Sequence, residues 1–221
     1  MFKEIKALLW KDMILEWRHK YALNGILLYV FSTIFICYLS FEVLHARVDQ
    51  FSWNALYWII ILFTSISTVA KSFIQEKEGR QLYYFNLVRP QSIILSKIIY
   101  NSGLLVLLAI MAFGVFSLVL GNRVQDPGFF VLIILAGTVG FATTLSLMSG
   151  IASKADNNGM LMAILSFPVI IPILLMIIKL SRNAIDGIAR SESLDELLTL
   201  LAIDIIVGTL AYLLFPYLWR S

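Results

Sequence analysis

Apolar residues in this chain are gathered into six long runs that contain few charged side chains. The runs cover approximately residues 22–41, 53–75, 98–120, 129–151, 159–180 and 198–218. A helix needs about 20 apolar residues to cross a hydrocarbon core roughly 30 Å thick, and each run has about that length. The pattern therefore predicts an all-α polytopic membrane protein with six transmembrane helices. Because the connections are too short to hold a separate domain, residues 1–221 are predicted to form a single transmembrane domain.

Residues 1–20 precede the first run and have an amphipathic pattern of their own. Five apolar residues recur there at helical spacing: Phe2, Ile5, Leu9, Met13 and Trp17. Most charged residues of the segment lie elsewhere around the helix. Trp10 and Trp17 favour the membrane surface, because indole rings prefer the headgroup level. We therefore predict an N-terminal helix in the cytoplasmic interface; an ordinary charged leader before the first span is the alternative.

The composition and the charge distribution agree with this class of protein. Hydrophobic residues make up 60% of the chain and charged residues 14%, against about 45–50% and about 25% in soluble domains. The basic residues are dispersed along the predicted span ends, so the net charge of +3 does not indicate nucleic-acid binding. With the N-terminus in the cytoplasm, twelve of the 17 Lys and Arg residues lie on the cytoplasmic side, as the positive-inside rule expects. An even number of spans then returns the C-terminus to the cytoplasm.

The chain offers few residues for catalysis or metal binding. Its one cysteine, Cys37, lies in the first run, and its two histidines are His19 in the leader and His45 in a loop. Neither a phosphate-binding loop nor a dinucleotide or zinc motif occurs. We therefore predict no catalytic residues, no bound cofactor and no metal site, and hence no enzyme. If transport is energised by ATP, another polypeptide must bind it.

The connection between the second and third runs is rich in both charged and aromatic residues. Gly79 and Pro90 punctuate it, and residues 80–88 could form a short helix. That helix would present five apolar or aromatic side chains: Leu82, Tyr83, Tyr84, Phe85 and Leu87. Such residues have three interpretations, which are docking into a groove of a partner, lying on the membrane surface, or packing on the N-terminal helix.

Span five contains two prolines, Pro168 and Pro172, which are four residues apart and so lie on one helical face. Each proline removes a backbone hydrogen bond, which predicts a helix break or hinge in this span. Such breaks are tolerated where the helix packs against protein or a cavity. A static packing kink is the alternative interpretation.

Asp204 lies inside the sixth run, where an ionised carboxylate is costly. It is predicted to be an intramembrane polar site that serves a substrate path or a gate. The alternative is a residue near the outer interface that water or Lys179 satisfies.

The fourth run is rich in small residues: Gly137, Gly140, Ala142, Ser146, Ser149 and Gly150. Small residues permit close contact between helices. This span is expected to be central in the bundle or to lie in a dimer contact.

Three stretches of the chain form an ordered set of motifs. The leader reads Leu8, Leu9, Trp10, Lys11, Asp12. The second connection carries Phe73, Glu76, Glu78, Gly79, Leu82, Pro90 and Lys97. The small-residue span is followed by a span with a proline-x-x-x-proline motif. In order and spacing, and over the whole chain, these motifs resemble the cytochrome c maturation protein B family, also called haem exporter protein B, whose members are permeases of ABC-type transporters.

The resemblance implies a membrane subunit that pairs with a separate cytoplasmic ATPase, where ATP would bind. It also implies a haem-handling membrane protein as a neighbour, and a second copy of the chain and membrane lipid as further partners. The location would be the bacterial cytoplasmic membrane, with both termini in the cytoplasm. In that family the system is associated with haem export or with release of a haem-loaded chaperone, so haem would be cargo and not a bound cofactor.

The resemblance further implies a coupling helix that fits a groove of the ATPase. Its residues would be Glu76, Glu78, Gly79, Leu82, Tyr83, Tyr84, Phe85 and Pro90. Two other functions use the same architecture. One is a membrane scaffold or assembly factor that transports nothing, and the other is the permease of an ABC exporter with a different cargo.

Overall fold

The computed structural model describes residues 1–18, 20–43, 48–74, 88–152 and 158–220. These residues form seven α-helices and one 3-10 turn. The helices are α1 (Phe2–Arg18), α2 (Lys20–Val43), α3 (Gln50–Ile74), α4 (Pro90–Leu120), α5 (Pro127–Ala152), α6 (Asn158–Asp186) and α7 (Leu194–Arg220), and the turn is Arg190–Ser193. No strand occurs in the described ranges. The predicted all-α class is confirmed.

Six of these helices, α2 to α7, are long and apolar enough to cross a membrane. The prediction of six spans preceded by an amphipathic helix is therefore confirmed. Several helices extend beyond the apolar runs that predicted them. Helix α4 begins at Pro90 and α6 continues to Asp186, because backbone hydrogen bonding and packing do not stop where the apolar run stops.

Helix α5 lies at the centre of the bundle. In its most apolar window 78% of the residues are buried, against 17% in α7. Three glycines of α5 leave room for side chains of its neighbours, since a Cβ atom at Gly137, Gly140 or Gly150 would overlap Ile177, Asp204 or Phe215 respectively. The expectation that the small-residue span is central is correct.

An aromatic cluster fills the half of the bundle that lies away from α1. Trp53 of α3 contacts Phe116 and Phe130 with ring centroids 4.9 and 5.8 Å apart, and all three side chains are fully buried. The polar atoms of these rings are satisfied as well. The indole of Trp53 donates to the carbonyl of Gly121 at 3.0 Å, and the hydroxyl of Tyr57 donates to that of Ala109 at 3.0 Å. The cluster thereby joins α3, α4 and α5 without orphaned polar groups on its rings.

Pro168 and Pro172 lie inside α6, which continues through both of them without interruption. The predicted break therefore does not interrupt the helix. Both prolines are exposed on the surface of the described chain. The helix persists because its other side is anchored in the core by buried residues such as Ile170 and Ile173. The role of the prolines as a hinge stays a prediction.

At the end of the bundle away from α1, an ion pair joins two connections. Arg190 donates to Asp126 through Nε at 2.7 Å and through Nη2 at 2.8 Å. The same carboxylate caps α5 by accepting the backbone N–H of Phe129 at 3.0 Å. The backbone N–H of Asp126 donates to the carbonyl of Ala184 at 3.0 Å. Asp126 thus fixes the start of α5 relative to α6 and to the turn that leads into α7.

The Arg190 guanidinium lowers the pKa of Asp126 to about 2 from the ordinary 3.8. A carboxylate with a lowered pKa contributes stability that is fully present above about pH 4 and is lost as the pH falls towards 2. We expect Asp126→Asn to lower the unfolding temperature modestly at pH 7, because the pair is exposed, and to flatten the acid dependence between pH 4 and 2. Circular dichroism in detergent measures both effects. Asp195→Asn, at an exposed carboxylate of α7, is the control, and an equal acid response of the two variants would contradict the assignment.

Candidate functional site

Helix α1 lies against the beginning of α4, and polar contacts hold the two together. Three pairs join them: Glu4 with Ser92, Asp12 with Lys97, and Glu16 with Tyr100. The residue numbers rise together in both helices, so α1 and α4 run in the same general direction. The contacts begin in the first turn of α4 and reach its third turn. This joint is the centre of the candidate site.

The pair of Asp12 and Lys97 is the buried part of the joint. Lys97 Nζ lies 3.3 Å from Asp12 Oδ2, and the two side chains are only 4% and 5% exposed. Lys11 Nζ approaches the other oxygen of Asp12 at 3.1 Å. Removing either charge from a buried pair leaves the other in a medium of low dielectric, which is strongly unfavourable. The pair therefore makes separation of α1 from α4 costly.

The pair of Glu4 and Ser92 lies nearer the protein surface. The hydroxyl of Ser92 donates to Glu4 Oε2 at 2.7 Å. This hydrogen bond, together with the nearby amino terminus, holds the pKa of Glu4 below its ordinary value. The carboxylate is therefore ionised at neutral pH, and it ties the first turn of α1 to the first turn of α4.

The apolar residues of α1 divide between two sides. Ile5 and Leu8 are buried against the bundle together with Asp12, whereas Phe2, Trp10, Met13, Ile14 and Trp17 are exposed. The predicted stripe that combined Ile5 with Met13 and Trp17 is thus not a single contact surface. The reason is that a second surface, the start of α4, competes with the membrane for apolar side chains of α1. The exposed tryptophans remain available for the membrane interface.

A small apolar core lies below the joint. Its buried members come from α1, α4, α5 and α7: Leu8, Ile93, Ile94, Leu147, Val207, Ala211 and Phe215. Its buried members differ from those of the main core, which contains the aromatic cluster, and Met148 and Ile203 pack against both cores. Four helices therefore share one small packing unit at the point where α4 begins.

The predicted coupling segment leads directly into this unit. Of its eight residues, Pro90 is described and occupies the first turn of α4. The other seven, Glu76, Glu78, Gly79, Leu82, Tyr83, Tyr84 and Phe85, lie outside the described residues, and their roles stay predictions. Arg89 is extended, with φ −67° and ψ 136°, and its carbonyl accepts the N–H of Ser92 at 2.9 Å. The helix thus starts immediately after the segment, with no intervening linker.

Asp204 lies near the middle of α7. It faces Gly140 of α5, and one of its oxygens is buried without a hydrogen-bond partner in the described part of the chain. Lys179 does not serve it, because Lys179 pairs with Glu196 at 2.6 Å. Glu196 precedes Asp204 by about two turns of helix, or roughly 12 Å. The interpretation in which Lys179 satisfies Asp204 is wrong.

The sequence pattern alone missed the joint. Asp12 and Lys97 stood in two of the motifs, but nothing linked them, and Glu16 and Tyr100 were not singled out. The sequence did contain a usable signal, because an aspartate and a lysine that lie beside long apolar runs need partners to offset the cost of their charge. Choosing the correct partner among several charged residues required the fold.

The comparison with known families matches nearly the whole chain. A family model described as CcmB protein covers residues 3–216. This is the family that the three motifs resemble, so that recognition is confirmed. A search of curated proteins finds no match.

We expect Asp12→Asn and Lys97→Met each to destabilise the protein by about 3 kcal/mol, because each leaves a buried partner uncompensated. The double variant should lose clearly less than the sum of the two single losses. Unfolding in detergent, followed by circular dichroism, gives the three values. Lys3→Gln, at an exposed lysine of α1, should leave stability unchanged. Strictly additive losses would mean that the two side chains do not interact.

Proposed function

Because this chain belongs to the CcmB protein family, we propose that it is the membrane permease subunit of an ABC-type transporter that is energised by a separate ATPase. Family membership supports a role in haem export during cytochrome c maturation. The six apolar helices make it a multi-pass membrane protein. In this proposal haem, or a haem-loaded chaperone that must be released, is the cargo. ATP is bound and hydrolysed by the partner.

The observation that carries the proposal is the joint between α1 and α4. The charged and aromatic segment of residues 76–90 ends at the first turn of α4, and Lys97 ties that part of α4 to Asp12 of α1. A force applied to the segment would therefore act on α4 and α1 together. The small core beneath extends the same unit to α5 and α7. Closure of the nucleotide-bound ATPase would then move several helices as one body.

We propose that both termini are cytoplasmic and that the membrane is the bacterial cytoplasmic membrane. Leu8 near the N-terminus and Phe215 near the C-terminus belong to the same small core, so both termini share one end of the bundle. The excess of basic residues on that side supports its cytoplasmic location. The haem-handling membrane protein would contact the chain within the same membrane.

Reporter fusions test the orientation. A phosphatase that is active only outside the cytoplasm should be active when fused after residue 47 and inactive when fused after residue 85. A cytoplasmic reporter fused at the same two sites should give the reverse. Phosphatase activity at residue 85 would place the segment on the wrong side of the membrane for an ATPase and would exclude the coupling role.

Variants of the segment test the coupling role. We expect Glu78→Lys and Tyr84→Ala to lose co-purification with the proposed ATPase subunit, because each removes a side chain that would enter the groove of the ATPase. Glu192→Lys, at an exposed site on the opposite end of the bundle, is the matched control and should retain the ATPase. Unchanged ATPase binding in both segment variants would contradict the assignment.

Deletion of the gene tests the pathway. Covalent attachment of haem to c-type cytochromes should fall sharply and should return with the wild-type gene but not with the Tyr84→Ala variant. Normal attachment in the deletion strain would favour an exporter with another cargo. Restored attachment by a variant that no longer binds the ATPase would favour a scaffold.

A further inference from the structure

We propose that the cavity between the start of α3 and the end of α6 binds a phospholipid whose headgroup carries both a phosphate and a primary ammonium group, namely a phosphatidylethanolamine. The cavity lies at the end of the bundle away from α1, where α3 begins and α6 ends. The proposal therefore depends neither on the ATPase nor on the cargo. It concerns which membrane lipid this chain recognises.

The cavity has a volume of about 480 Å³ and opens on the surface of the bundle. This size is typical of sites that bind small ligands. One wall is the first turn of α3 together with Asp49, and the other wall is formed by the last turns of α6. The amide of Asn54 donates to the carbonyl of Ile178 at 3.0 Å and so joins the two walls. The cavity is therefore built by the fold itself.

The lining of the cavity changes from apolar to charged along α6. Leu175 lies nearer the middle of the span, and Lys179 and Arg182 follow it towards the end of the helix. From Leu175 to Arg182 the helix rises about 10 Å. The headgroup layer on each side of a bilayer is only about 5–7 Å thick, so the cavity extends from this layer into the hydrocarbon. A molecule with a polar head and acyl chains matches this change in polarity, whereas a fully water-soluble ligand does not.

The wall formed by α6 carries two basic side chains. Lys179 and Arg182 are three residues apart and so lie on one face of the helix. Each has a carboxylate partner, since Lys179 lies 2.6 Å from Glu196 and Arg182 lies 3.5 Å from Asp186. The two basic side chains are nevertheless 59% and 71% exposed. Because a lysine has three donors and an arginine has five, both can also donate to the oxygens of a phosphate.

The wall formed by α3 carries an exposed carboxylate. Asp49 Oδ2 accepts the backbone N–H groups of Phe51 and Ser52, each at 3.2 Å. Hydrogen bonds from Ser52 hold the pKa of Asp49 below its ordinary value, so this carboxylate is ionised at neutral pH. Within the described residues no cation pairs with it. Asp49 can therefore accept hydrogen bonds from an ammonium group of a ligand.

The charges of the two walls together select the headgroup. The described lining contains two cations and two carboxylates, so it offers no excess positive charge to an anionic lipid such as phosphatidylglycerol. A phosphate beside Lys179 and Arg182 and an ammonium beside Asp49 would match both walls at once. Phosphatidylcholine has the same two charges, but its trimethylammonium group has no N–H to donate. Phosphatidylethanolamine supplies both the charges and the donors.

Native mass spectrometry tests this selection. The protein in detergent is titrated separately with phosphatidylethanolamine, phosphatidylcholine and phosphatidylglycerol that have the same acyl chains. We expect the first molecule of phosphatidylethanolamine to bind about twofold to fivefold more tightly than either other lipid, as one exposed ion pair allows. Equal binding of the three lipids, or tighter binding of phosphatidylglycerol, would overturn the proposal.

Variants of the two walls give a matched set. Asp49→Asn removes the charge but keeps a good helix cap, so α3 should begin as before while the preference for phosphatidylethanolamine disappears. Arg182→Gln should weaken the binding of all three lipids, because each has a phosphate. Asp195→Asn, at an exposed carboxylate outside the cavity but at the same end of the bundle, should keep the preference. Circular dichroism ensures that only folded variants are compared. A preference that survives in Asp49→Asn would contradict the assignment.

A photoreactive phosphatidylethanolamine tests the place of binding. With a diazirine in an acyl chain, its crosslinks should map to Phe51 and Leu175, which line the cavity and are 68% and 58% exposed. These crosslinks should decrease in Asp49→Asn. Glycerophosphoethanolamine, which is the free headgroup without acyl chains, should not compete at the same concentration as the lipid. Crosslinks confined to other helices, or full competition by the free headgroup, would show that the cavity is not a lipid site.

Discussion

The constraint on which this structure depends is the scarcity of hydrogen-bond partners in the interior of a membrane. Polar side chains of the spans must find partners within the protein. Many do so across helices. The amide of Asn101 in α4 donates to the hydroxyl of Ser146 in α5 at 2.9 Å, and the amide of Asn54 in α3 donates to the carbonyl of Ile178 in α6 at 3.0 Å. These contacts fix which helices are neighbours, which apolar packing alone would leave less determined.

The scarcity of hydrogen-bond partners also explains why different interactions hold the two ends of the bundle. Aromatic packing and the pair of Asp126 and Arg190 hold the end away from α1, where two connections meet. At the other end, the polar joint and a small core hold α1 to α4. The bundle thus contains one large apolar core and one small apolar core. The small core lies where the proposed force from the ATPase would act. The helices around it would then move relative to the large core, which would stay fixed.

The amount that the sequence predicts differs from feature to feature. Six spans and a central small-residue helix follow from composition, because hydrophobicity and side-chain size are local properties. The contacts of α1 do not follow, since Ile5 and Trp17 are both apolar and only the position of α4 decides which is buried. Asp204 illustrates the same limit. Its place in an apolar run was plain, but its position against Gly140, and the pairing of Lys179 with Glu196, depend on how three helices cross.

The pairing of Asp12 with Lys97 also has a consequence for biosynthesis. The ribosome completes α1 long before α4, with α2, α3 and their connections between them. Until Lys97 emerges, Asp12 lacks that partner and stays in water at the membrane surface, so α1 reaches its final position only after α4 has inserted. Conversely, Asp12 is already at the interface when Lys97 inserts, and an aspartate there lowers the free energy cost of placing a lysine in the bilayer. The first helix to be made is therefore among the last to be docked.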